Sequence, residues 1–212
     1  MSSDQDHIVD TVVLLYFLLV DEVDLLSDLI GTPLRVPVAV YDPEDRSVPA
    51  EALRHSELLS EMHQSIRHYE VSTRTGSASS DLLDRVLRVN ALYESGALTV
   101  VEMAKQEAIL AARLQSRSKV ADYGLRVPLG AGEAACVAIA WERGWTVTTD
   151  DEAALRVLDK LHGDRTYAYE RIRKLLMRAA DEDRITESSA NEIHTAMRDL
   201  GFWDSGAPFP DA

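Results

Sequence analysis

Four short runs with strand character, each followed by a segment of helical periodicity, leave few folds open to this chain. The runs are residues 7–11, 34–41, 98–103 and 145–149. Helical stripes follow at 23–30, 50–69, 81–94, 104–116 and 133–143, with stops at Gly31, Gly96 and Gly144. Strands alternating with helices build a mainly parallel sheet covered on both faces. In such a sheet, ligands gather beyond the carboxyl ends of the strands. The apolar stretch 12–19 is compatible with a continued first strand and with a buried helix, because periodicity does not separate the two. Run 34–41 is interrupted by Pro37 and ends at Asp42.

Two amphipathic helices are expected from about residue 167 onward. The first carries Tyr169, Ile172, Leu176 and Ala179 on one face; the second carries Ile193, Met197 and Leu200 behind a Ser189–Glu192 capping box. The Ser/Thr/Gly segment 72–80 reads as a loop. The domain expected is therefore 1–165, with a helical insert at about 45–96 and a helical extension, 166–212, packed on the same body.

Composition narrows the function. With 36 Asp and Glu against 22 Lys and Arg, the net charge is −14. Such a chain repels polyanions at long range, which argues against a coating protein held on nucleic acid by counterion release. A nuclease stays open, since a bound divalent cation reverses the local sign. One cysteine, Cys136, forms no internal disulfide and no thiolate zinc site, and it reads as a small buried apolar residue. The nine-residue apolar run at 12–20 is too short for a membrane helix and lacks the basic flank of a signal peptide, so a cytoplasmic protein is expected.

Three of the four runs carry an acid at or just past their carboxyl end: Asp10, Asp42, and the pair Asp150 and Asp151. Glu133 stands at the first turn of the helix that feeds the fourth strand. Carboxylates held close together raise each other's pKa unless a cation neutralises them. Magnesium or manganese suits all-oxygen ligands, and water kept on the metal serves as a nucleophile. Each acid also has a plain structural reading. Asp42 before Pro43 starts a turn, Glu133 complements a helix dipole, and Asp150 caps the helix beginning near Glu152.

Four segments resemble the PIN-domain nucleases, a family that includes the toxins of toxin–antitoxin pairs: IVDTVVLLYFL (8–18), VPVAVYD (36–42), LGAGEAACVAIA (129–140) and TVTTDDEAALRVL (146–158). The stretch DEDRITESSANEIHTAMRDLGFW resembles the tail of PIN-like proteins, and the likeness spares the insert from about 45 to 96. The resemblance implies an α/β/α sandwich and magnesium- or manganese-dependent endonucleolytic cleavage of RNA leaving a 3′-hydroxyl. It further implies metal-site roles for Asp10, Asp42, Glu133 and Asp151, with Asp150 an alternative to its neighbour. Thr11 and Thr149 would orient carboxylates or contact phosphate. RNA, a cognate antitoxin and a second copy of the chain are the partners it suggests, with no membrane.

Two departures stand out: Val12 where the family often has Asn, and Asp42 where Glu is commoner. They support an alternative, a PIN-like interaction or regulatory module without nuclease activity. A phosphoaspartyl phosphatase ranks last, because Val12 also stands where that chemistry needs a second aspartate. RNA approaching so acidic a chain needs local basic surface, and the candidates are Arg113, Arg117 and Lys119, then Arg171, Arg173, Lys174 and Arg178. The histidines read as surface groups. Trp141, Trp145 and Trp203 read as core or interface.

Overall fold

The computed structural model describes residues 6–45, 57–73, 79–163 and 167–204. In chain order, β1 (His7–Val9) leads to α1 (Thr11–Leu19) and α2 (Val23–Ile30), then β2 (Leu34–Pro37), α3 (Glu57–Thr73), α4 (Ser79–Glu94), β3 (Leu98–Val101) and α5 (Lys105–Leu114). After α6 (Ala131–Arg143) come β4 (Thr146–Thr148), α7 (Glu152–His162), β5 (Tyr169–Glu170), α8 (Ile172–Asp181) and α9 (Glu187–Asp199). The chain is α/β, and among the described residues every strand pairing is parallel.

β4 lies between β1 and β5, while β2 and β3 form a second pair. The two sheets abut where β1 lies beside β2. Their carboxyl ends share an edge, since a methyl placed on Gly132 would touch both Thr11, just past β1, and Val40, just past β2. At the opposite end, Asp6 before β1 pairs with Arg35 in β2 at 3.0 Å.

The ambiguous stretch after β1 is helix. In α1, Val13 to Leu19 are all buried, because α2, α3, α4 and α9 surround it. A helix apolar on every side belongs in a core. Opposite it, α6 packs across β1, β2 and β4, and its alanines allow the close approach. Cys136 is buried there, with Sγ 3.5 Å from the Val9 carbonyl. The tail is tied to the same body: α8 packs on α2, and Arg178 donates to Glu170 and to the Leu29 carbonyl.

Several expectations are corrected. The second strand ends at Pro37, which has no N–H to continue a ladder, and the amides of Val40 and Tyr41 fold back onto the Pro37 carbonyl. Asp42 therefore stands five residues beyond the strand. Tyr169 lies in a two-residue strand, not on a helix face, because its backbone pairs with Val147 in β4. The cap of α9 is Thr186, whose hydroxyl accepts from the Ser189 amide; the helix starts two residues before the expected capping box. Segment 72–80 is helical at both ends, in α3 and α4, and its middle lies outside the described residues.

His7 and His194 are buried, not surface groups. His7 meets the Thr148 hydroxyl at 3.1 Å, and burial, with Arg178 and Arg35 nearby, pushes its pKa down to about 4. His55 lies outside the described residues. Trp203 is 80% exposed and fills no core, whereas Trp145 stacks against Arg35 and Arg143.

One ion pair fastens α5 to α6. Glu107, only 2% exposed, takes Nε and Nη2 of Arg143 at 2.6 and 2.9 Å and caps the Ala104 amide at 2.6 Å. The Arg143 hydrogen bonds, acting against burial, hold its carboxyl below the usual range. Truncation to alanine removes the guanidinium's carboxylate partner and the cap of the Ala104 amide, so Glu107→Ala should destabilise the fold by roughly 2–3 kcal/mol in urea titration. A change under about 0.5 kcal/mol would show that the pair is an ordinary surface contact.

Candidate active site

The site grows from Asp10, the residue that ends β1 and caps α1. Its Oδ1 accepts the Thr11 amide at 2.8 Å and its Oδ2 accepts the Thr149 hydroxyl at 2.6 Å. The Asp10 amide donates to the Thr148 carbonyl, which holds the carboxylate at the carboxyl end of β4 as well. Asp10 is wholly buried.

Thr149 extends the arrangement, since its Oγ1 accepts the Asp151 amide at 3.1 Å. Asp151 caps α7 through the Ala154 amide. On the other side of Asp10, the Thr11 hydroxyl donates to Glu57 Oε2 at 3.2 Å. Glu57 opens α3. Its amide and that of Leu58 bond the Ala39 and Val40 carbonyls, which pins the start of α3 to the turn after β2.

The Glu57 carboxylate fills the space at the start of α6. A Cβ on Gly132 would come within 2.3 Å of Glu57 Oε2 and 2.8 Å of Thr11 Oγ1, and one on Gly130 within 2.9 Å of Glu57 Oε1. Only hydrogen at these positions leaves room for the carboxylate. Glu133, on the same first turn, accepts the Gly130 amide at 2.9 Å. Glu61 stands one turn beyond Glu57 on α3.

Electrostatics shows that these acids form one group. Burial first, then the charges of Glu57 and Asp151, push Asp10 up to about 7 against the hydrogen bonds from Thr149 and Thr11. Burial, then Asp151 and Asp10, push Glu133 to about 7. Burial, then Asp10, Glu57, Glu133 and Asp151, push Glu61 to about 8. The principal charges acting on all three are other carboxylates.

Of the acids named from sequence, the structure brings together Asp10, Glu133 and Asp151. Asp150 faces elsewhere. Its Oδ2 caps the Ile172 amide at the start of α8, and burial raises its pKa to about 6 with Arg171, Asp204 and Glu152 as its neighbours. Asp42 makes a local turn, accepting the Glu44 amide at 2.9 Å, and does not act on Asp10, Glu61 or Glu133 among their principal charges. Glu57 and Glu61 stand with Asp10 instead, and both lie in the insert where no site residue was expected. The available signal was two glutamates at i, i+4 among Leu58, Met62 and Ile66, a like-charge pair that an isolated helix disfavours.

The arginine candidates differ in kind. Arg113, Arg117 and Lys119 are exposed at the end of α5 and beyond it. Arg171 pairs with Glu152 at 2.6 Å, Lys174 lies 3.7 Å from Glu170, and Arg178 is committed to Glu170 and Leu29.

No family model matches the chain, and comparison with curated proteins and with solved structures finds no match. Among the described residues no helix is long and apolar enough to cross a membrane.

Proposed function

We propose that the chain is a divalent-metal-dependent ribonuclease of PIN-like type, with an α/β/α arrangement about its parallel strands. The observation that carries the reading is the convergence, at one sheet edge, of carboxylates from four separate segments: Asp10, Glu57 with Glu61, Glu133 and Asp151. Burying mutually repelling acids destabilises a fold, and a structural role does not need it.

The donor set fits a hard cation in kind, since it is all oxygen, with neither thiolate nor imidazole among its members. Asp10, Glu57, Glu133 and Asp151 would hold magnesium or manganese. No three His, Cys, Asp or Glu side chains among the described residues already stand where they could grip an ion. Loading therefore requires the longer side chains of Glu57 and Glu133 to turn toward Asp10, which Thr11 and Thr149 hold fixed. The ion, when bound, supplies a water of lowered pKa and offsets charge on the phosphate.

The test is metal binding by calorimetry alongside cleavage of an unstructured RNA. Glu57→Gln should weaken manganese binding and cut cleavage on the order of 100-fold, while Asp42→Asn leaves both within about twofold. The reverse ranking would restore Asp42 to the site and remove Glu57.

The alternative, an inactive PIN-like module, is favoured by one observation, the absence of a preformed set of three ligands among the described residues. It predicts no cleavage at any manganese concentration. A cognate antitoxin and a second copy of the chain belong to either reading as partners.

A further inference from the structure

A shallow groove runs between α7 and the end of β5, lined by Glu152, Leu155, Arg156, Asp159, Tyr167, Tyr169 and Arg171. It starts one residue from Asp151. β5 ends on the same edge as β4, with Glu170 paired to Thr148, so Arg171 emerges level with Thr149 and reaches across to Glu152.

The floor of the groove is aromatic and firmly backed. Tyr167 stacks on His162 at 5.0 Å, His162 meets Trp141 edge-on at 4.6 Å, and the Tyr167 hydroxyl bonds the Leu155 carbonyl. Tyr169 lies against Tyr167 at 5.7 Å and is 38% exposed. Arg171 and Lys174 stand 6.0 and 5.7 Å from the Tyr169 ring. Arg156 is exposed on the opposite wall. A partly exposed ring on a rigid support, with two cations lying over it, suits a nucleobase that takes their place as they turn to its phosphate.

We propose that this groove is a nucleobase subsite: one unpaired base of the RNA strand stacks on Tyr169 while Arg171 and Arg156 hold the adjoining phosphate, which sets the neighbouring phosphodiester beside Asp10 and Asp151. The proposal rests on the ribonuclease reading for its substrate. It goes beyond that reading in requiring an unpaired base at one fixed position from the cleaved bond. Glu152 holds Arg171 in place, and a phosphate arriving there competes for the same guanidinium.

The experiment uses the full chain with manganese and a short unstructured RNA, and a series of the same RNA with one abasic residue moved along it. Binding is read separately by anisotropy on the Asp10→Asn variant. Tyr169→Ala should raise KM about 10-fold with kcat little changed, and Tyr169→Phe should restore it. In the wild type, one abasic position should reproduce that loss, and in Tyr169→Ala the same position should add nothing further.

Cleavage by the wild type with KM unaltered in Tyr169→Ala, or equal tolerance of abasic residues at every position, overturns the subsite and leaves the nuclease reading standing. RNA bound through Tyr169 without cleavage upholds the subsite and defeats the nuclease reading. Wild-type protein that neither binds nor cleaves the RNA defeats both. The abasic series needs no altered protein, so a misfolded variant cannot obscure the outcome.

Discussion

Asp10→Asn is expected to abolish RNA cleavage and, in the same protein, to raise the melting temperature of the metal-free form at pH 8. The two effects have one cause. Asp10 is fully buried, and burial together with Glu57 and Asp151 lifts its carboxyl to about 7. Above that pH the fold must hold an anion away from water beside other anions. An amide of nearly the same volume removes the charge. Its oxygen still accepts the Thr11 amide, and its nitrogen can donate to Thr149 Oγ1, so the cap of α1 survives. Catalysis loses the one carboxylate fixed at both oxygens, and the expected fall is on the order of 100-fold or more. Cleavage at the wild-type rate would remove Asp10 from the chemistry. A melting temperature lowered by several degrees would show instead that its charge serves the cap and not a metal.

The sequence makes the frame of the site legible and conceals one wall of it. Asp10 and Asp151 follow apolar runs that are strands, so local pattern places both at one edge, whereas the place of Glu133 turns on where its helix begins, which sequence leaves open. Glu57 and Glu61 are different. Charged residues on a helix normally face solvent. These two turn inward because the first amides of α3 bond the Ala39 and Val40 carbonyls, a contact between residues eighteen apart in sequence that no local periodicity records. The same gap explains Asp42. Apolar residues continue past Pro37, yet the ladder cannot, and the turn that follows carries Asp42 away from the edge and brings Glu57 to it. The place of Glu57 also depends on glycine for a tertiary reason: Gly130 and Gly132 leave space for its carboxylate. β5 is only two residues long, so its pairing with β4 overrides the helical pattern of the tail around Tyr169.

The metal-free protein should lose stability as pH rises from about 6.5 to 8.5, and a divalent cation should remove most of that loss. Asp10, Glu133 and Glu61 have folded pKa values raised to about 7, 7 and 8, above the unfolded values of 3.8, 4.5 and 4.5. Between those limits the folded state binds more protons than the unfolded state, so unfolding free energy falls with increasing pH and levels off above about 8. His7 works in the opposite direction: its pKa is lowered from 6.5 to about 4, so it adds stability as pH climbs through that range. His194, lowered by burial, has the same sign. Above about 7.5 both histidines are neutral in either state, and the carboxylates act alone. A fall in melting temperature on the order of 5 °C across this window is expected in EDTA, given roughly 2–4 °C per kcal/mol for a chain of this size. Manganese replaces the protons with a charge that does not titrate away, so its stabilisation should grow with pH over the same range. Asp10→Asn should flatten the metal-free profile and shrink the response to manganese together. A metal-free profile that is level or rising from 6.5 to 8.5 would mean that the carboxylates ionise without mutual penalty, and the grounds for a shared cation at Asp10, Glu57, Glu133 and Asp151 would be gone.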